Sequence, residues 1–90
     1  MIHAEILVKG LVQGVGFRWF AVRKAHEYSL KGYVRNQGYD EVFCVVEGEE
    51  GLINDFVKEL QIGPRMSRVT GVFVKKSDKI VGYDKFEIEF

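Results

Sequence analysis

The 90-residue sequence contains one cysteine, Cys44, and one proline, Pro64. A lone cysteine closes no internal disulfide, so the fold must be held by packing alone, which suits a reducing compartment. A cytoplasmic protein is therefore expected, with Cys44, flanked by Phe43 and Val45, as a packed core thiol. There is no linker, repeat or low-complexity tract, and so short a chain split in two would leave neither half a core. Residues 1–90 are expected to form one domain. The longest apolar run, Val42 to Val46, is far below the roughly 20 residues of a membrane helix. Met1-Ile2-His3-Ala4-Glu5 carries no basic stretch ahead of an apolar one, so it does not read as a secretory leader. Net charge is also lacking: 13 basic and 13 acidic residues balance, without the basic excess of a nucleic-acid binder. Two histidines, His3 and His26, stand far apart, and no His, Cys or carboxylate cluster has ligand spacing. No metal or other cofactor is expected, and both histidines are expected on the surface without partners.

What is present is ordinary soluble-protein material, 47% hydrophobic and 29% charged. Ala4, Ile6 and Val8 alternate with His3, Glu5 and Lys9, a strand ended by Gly10, with Leu7 interrupting its polar side. From Phe17 to Leu30 the period becomes helical through Phe17, Phe20, Ala21, Ala25 and Tyr28, and Lys31-Gly32 is expected to stop the helix. Tyr33–Asn36 and Glu41–Glu47 read as a hairpin around Gln37-Gly38-Tyr39-Asp40. Gly48 is expected to open a second helix with Glu49 and Glu50 in its first turn, buried through Leu52, Ile53, Phe56 and Leu60 and ended by Gly63-Pro64. Val69–Lys75 and Phe86–Phe90 complete the series as strands. The order βαββαβ with one further C-terminal strand is the ferredoxin-like pattern: an α+β sandwich, an antiparallel sheet with two helices on one face. The strand order 4-1-3-2 is expected, with the place of the last strand left open.

The chemically informative segment is Gly10-Leu11-Val12-Gln13-Gly14-Val15-Gly16-Phe17-Arg18, which leaves a strand and enters a helix. Glycines let the backbone curl so that N–H groups point inward, and a helix start adds unpaired donors and a positive dipole end. Arg18 can give two parallel hydrogen bonds to phosphate oxygens. On physical grounds alone the segment is equally a glycine-rich turn with a surface arginine. Asn36, taken without the arginine loop, reads more readily as a turn residue before Gln37-Gly38.

These residues carry a resemblance. Gly10 to Arg18, as G-x-V-Q-G-V-G-F-R, is similar to the signature of the acylphosphatase family. Gly32-Tyr33-Val34-Arg35-Asn36 resembles the family's second block, Gly63-Pro64 a third, and Phe86 to Phe90 its F-x-I-x-aromatic ending. Tyr33 stands where tryptophan is usual, Asp40 where a turn glycine is usual, and Ser67 where alanine is common; none removes a functional group. The resemblance implies hydrolysis of acyl phosphates to a carboxylate and inorganic phosphate, without metal or covalent phosphoenzyme. It places the phosphate-binding arginine at Arg18, the water-positioning asparagine at Asn36, and the phosphoryl cradle at the amides of Gln13, Gly14, Val15, Gly16, Phe17 and Arg18. The partners so implied are a small-molecule acyl phosphate and, as site ligands, phosphate or sulfate. No nucleic acid or membrane is expected, and the protein is expected to be a monomer.

The expected topology agrees with that placement. The first and second strands run parallel with the third between them, so their C-terminal ends lie about 10 Å apart at one edge, room for a phosphate and a water. Asn36 shares a strand face with Val34, the helix-covered face, and Arg35 alternates to the other. Trp19, Val22 and His26 form a helix stripe outside the main core face, where a plain packing role is expected for Trp19, the alternative being that it packs on the binding loop or lines the leaving-group side. A non-catalytic anion-binding module is the first rival, but would not need Asn36. An RNA-binding βαββαβ domain would need exposed aromatics on the central strands, where the third offers Phe43 and the first none. A domain cut from a larger carbamoyl-transfer protein is the third rival.

Overall fold

The computed structural model describes residues 1–90. In chain order the elements are β1 (Ile2–Leu11), α1 (Phe17–Glu27), β2 (Lys31–Gln37), β3 (Glu41–Gly48), α2 (Glu50–Ile62), β4 (Arg68–Ser77) and β5 (Phe86–Ile88). The sheet order is β4-β1-β3-β2-β5. The first four strands follow the expected 4-1-3-2 order and pair antiparallel throughout. The fifth strand, whose place was open, adds outside β2 and runs parallel to it, which makes the complete sheet mixed.

Alternation decides which side of the sheet is dry. Ala4, Ile6 and Val8 of β1, Val42, Cys44 and Val46 of β3, and Val34 of β2 are all fully buried on one face. Phe17, Phe20, Ala21 and Ala25 of α1 and Ile53, Phe56 and Leu60 of α2 close over them into a single apolar cluster. Tyr28 and Leu52 only flank it, being half-buried. Burial pushes the Cys44 thiol far up, so it stays protonated and unreactive. No helix is long and apolar enough to cross a membrane.

Several boundaries differ from expectation, each for a local reason. β1 does not end at Gly10 but runs to Leu11 through a bulge between Lys9 and Gly10. Gly10 has φ 133, and a side chain there would collide with the carbonyl of Arg68 in β4, so the residue marks close strand approach, not a stop. α1 ends three residues before Leu30, because Ser29 takes the left-handed turn (φ 57) and Leu30 N–H returns to Ala25 O at 2.9 Å. Gly32, expected as the stop, lies within β2 at φ 144, where a side chain would strike the Val45 carbonyl. Gly48 closes β3 and does not open α2, whose N-cap is Glu49. In the hairpin turn the left-handed residue is Gly38 (φ 61), so Asp40 need not adopt that conformation.

The other face of the sheet is covered only at one side, by the connection from β4 to β5. Its anchor is Glu47, 2% exposed. Glu47 accepts hydrogen bonds from the N–H groups of Val81 (2.7 Å), Gly82 (2.9 Å) and Tyr83 (3.4 Å). His3, directly across the β1–β3 ladder, places Nδ1 at 2.7 Å from the same carboxylate. His3 is thus half-buried and partnered, contrary to the surface expectation; its partner lies 44 residues away, where local pattern says nothing. His26 is exposed as expected, with only a 3.4 Å approach to the Phe86 carbonyl. Arg35 does point to this uncovered face, over the Phe43 ring at 5.1 Å and 3.7 Å from Glu89.

Candidate active site

The loop between β1 and α1 is built by two left-handed glycines, Gly14 (φ 74) and Gly16 (φ 79). No atom lies within 4 Å of where a side chain at either would project, so the curl opens onto solvent. Gly16 is also the N-cap of α1, and neither a side-chain cap nor an acidic residue in the first turn occupies the helix start. The first N–H groups of α1 are therefore left to an incoming anion, with the positive end of the dipole behind them. Phe17, 1% exposed, roots this end in the core, its ring centroid 6.0 Å from that of Phe20 with the two rings tilted. The Gly63-Pro64 turn supports it from the far side: a side chain on Gly63 would come within 3.1 Å of Phe17 Cε2.

Arg18 follows at the second position of α1. It is half-buried and forms no salt bridge, since every ion pair in the fold joins other residues. Its guanidinium instead stands 5.1 Å from the ring centroid of Phe90, an aromatic neighbour that holds the cation without neutralising it. On the hairpin, Glu41 is already engaged: Gln37 Nε2 donates to it at 3.1 Å and Lys9 lies at 3.2 Å. The Gln37 hydrogen bond first, and then Lys9, hold the Glu41 carboxyl below its usual range, which makes it a poor base.

Asn36 sits near the C-terminal end of β2, opposite Val42, two residues beyond the fully buried Val34 and on the same face. Its side chain is exposed and bonds to no other part of the protein, so the amide is free to hold water. β3 alone separates its strand from β1, as the topology required.

One feature of the site was not legible from the motif. Gln13, expected to contribute its backbone amide, also sends its side chain across to the hairpin. Nε2 donates to the carbonyls of Gly38 and Glu41, both at 2.9 Å, with Gln37 O at 3.4 Å. Gly10 N–H adds a bond to Asp40 O at 2.9 Å. The anion loop and the strand end carrying Asn36 are thus fastened together. The glutamine lay within the first motif, but nothing in its spacing showed where its side chain would go. Phe90 was visible only as the last aromatic of an alternating strand.

A family model for acylphosphatase matches residues 4–88. The chain belongs to the acylphosphatase family. It is 43% identical to the acylphosphatase of Archaeoglobus fulgidus over 90 residues, all of both chains. The crystal structure of acylphosphatase from Bacillus subtilis superposes with a TM-score of 0.97 at 36% identity, again covering both chains fully. T. kodakarensis HypF contains a similar unit, TM-score 0.86 and 37% identity, but that unit is 12% of its chain. The A. fulgidus and B. subtilis acylphosphatases, by contrast, match over their full lengths.

Proposed function

We propose that this protein is an acylphosphatase in which the Gln13–Arg18 segment holds the phosphoryl group and Asn36 positions the attacking water. The observation that carries the reading is Arg18: a guanidinium without a carboxylate partner, at an uncapped helix start behind a glycine curl, fastened by Gln13 to the strand end bearing Asn36. The amides of Gln13, Gly14, Val15, Gly16, Phe17 and Arg18 bind the equatorial phosphoryl oxygens, and Arg18 binds two of them side by side.

In the reaction, the oxygen of the Asn36-held water attacks phosphorus as the bond from phosphorus to the acyl oxygen breaks. The electron pair leaves with the carboxylate, and the proton of the water passes to a phosphoryl oxygen of the substrate itself. An anhydride has a good leaving group, so positioning and charge stabilisation suffice and no covalent enzyme intermediate is needed. The buried thiol of Cys44 and the engaged carboxylate of Glu41 fit this absence of a nucleophile or base. A cytoplasmic monomer acting on a small-molecule acyl phosphate is the corresponding setting.

The test is hydrolysis of acetyl phosphate by the purified protein, followed by release of inorganic phosphate. Turnover that inorganic phosphate or sulfate inhibits competitively is expected. A folded protein that leaves acetyl phosphate and benzoyl phosphate intact overturns the reading.

A further inference from the structure

Beside the anion loop, α1 and β5 leave an apolar cleft of about 290 Å³, lined by Trp19, Val22, Phe86, Glu87, Ile88 and Phe90. Trp19 is 68% exposed and Phe90 94%, a costly display of aromatic surface for a chain this small. Two relations tie the cleft to the candidate active site. Arg18 and Val22 are four residues apart on α1 and so share a helix face, one turn from each other. Phe90 borders both regions, with its ring centroid 5.1 Å from the Arg18 guanidinium and its side chain among those lining the cleft. The cleft begins where the phosphate-binding cation ends.

We infer that this cleft is an acyl subsite, which takes an aromatic or branched aliphatic acyl group while the phosphoryl group sits in the Gln13–Arg18 loop. The inference rests on the reading given under Proposed function. The lining chemistry favours this occupant: five of the six side chains are apolar, and the one charged group, Glu87, repels an acyl group bearing a second phosphate or carboxylate. The volume is at the lower limit for small-molecule pockets, enough for a ring or branched chain. Such a subsite ranks substrates by apolar size, and a hydrophobic pocket discriminates by roughly tenfold or more for groups that differ by a few carbons.

The protein has a single tryptophan, Trp19, on the wall of the cleft, so its fluorescence reports occupancy directly. The experiment titrates the whole protein with benzoylphosphonate and acetylphosphonate, non-hydrolysable analogues that differ in acyl size. Benzoylphosphonate is expected to bind at least about tenfold more tightly and to shift Trp19 emission to the blue, while acetylphosphonate competes without the shift. Arg18→Ala should weaken both, and Val22→Phe, which narrows the cleft, should bring the two affinities towards parity. Equal affinities with unmoved emission overturn the inference. So does a benzoylphosphonate shift that survives Arg18→Ala at full affinity, because the cleft would then be unconnected to phosphoryl binding. Emission that moves with protein concentration instead of ligand assigns the cleft to a second copy of the chain, and also overturns it. Acetyl phosphate hydrolysis separates the two levels: a protein that turns it over but shows no benzoyl preference keeps the reaction and loses the subsite.

Discussion

A guanidinium stacked on an aromatic ring and free of carboxylates, as Arg18 is, carries its full charge to whatever anion arrives. In the proposed mechanism it meets the phosphoryl oxygens in ground and transition state alike, so Arg18→Ala should impair binding and turnover together. The expected loss is about 2–5 kcal/mol in kcat/KM, the usual cost of removing one side of a close charge pair. In the proposed mechanism Asn36 acts on the water and not on the phosphoryl group. Asn36→Ala should therefore lower kcat at least ~100-fold while phosphate inhibition stays near wild type. Circular dichroism and melting control for the turn, since Asn36 ends a strand. Near-normal kcat in a folded Asn36→Ala protein would move water positioning elsewhere; loss of phosphate inhibition would make Asn36 part of the cradle. The positions of both residues, Arg18 at a helix start and Asn36 near a strand end, were legible because each stands inside a contiguous motif whose backbone sets its direction. Gln13's clamp and the His3–Glu47 pair were not, because each joins residues 24 or more apart that only the finished sheet brings together.

At the scale of elements, the β1–α1 loop and the β4–β5 connection are fixed by different means. The loop owes its curl to left-handed glycines, and the space beyond Gly16 is empty of protein. Gly16→Val both strains the backbone at φ 79 and puts a branched side chain where the anion must approach. Inhibition by phosphate should fall with activity, and wild-type inhibition in that variant would show that the anion binds elsewhere. The β4–β5 connection hangs on the Glu47 carboxylate. Burial alone would raise the Glu47 pKa, but His3 and the N–H groups of Val81, Gly82 and Tyr83 outweigh it and hold it below the usual value. A carboxyl lowered on folding contributes stability that is complete above the unfolded value of about 4.3 and is lost as pH falls through the folded value. Glu47→Ala should cost about 2 kcal/mol at neutral pH and flatten the stability profile between neutral and acid pH, measured by urea denaturation as a function of pH. An unchanged acid limb would assign that limb to other groups. The positions of the elements followed from hydrophobic period and turn residues; their ends did not. The stop of α1 fell to Ser29, and the glycines at 10 and 32 answered to neighbouring strands, a reason no local window contains.

At the scale of the whole molecule, the fold explains why the chemistry can be so sparsely equipped. The sheet order sets two parallel strand ends one strand apart, α1 delivers its dipole to the gap between them, and β5 brings Phe90 to the same edge. The gap between the two strand ends was readable from the order of elements, whereas the parallel docking of β5, and with it the arrival of Phe90 beside Arg18, was not, because three strand residues fit either edge of a sheet equally well. The arrangement supplies backbone donors, a positive charge and, at Asn36, an amide that bonds to no other part of the protein. It brings no group of three His, Cys, Asp or Glu side chains together as a metal would require. Activity is therefore expected to survive dialysis against EDTA unchanged, and loss of turnover that a divalent metal restores would sink the mechanism. The same sparseness sets the range of substrates. Expelling an alkoxide from a simple phosphate ester requires a proton or a metal at the leaving oxygen, and nothing beside Arg18 and Asn36 offers either. A carboxylate departs unaided. Acyl phosphates should accordingly be hydrolysed at least ~1,000-fold faster than alkyl phosphate monoesters, a gap of the size that one or two missing acid–base contributions produce. The comparison is made at equal concentration with release of inorganic phosphate as the readout. Comparable rates on the two would mean that a general acid operates at this edge of the sheet, and Glu41, freed from Gln37 and Lys9, would be the first side chain to substitute.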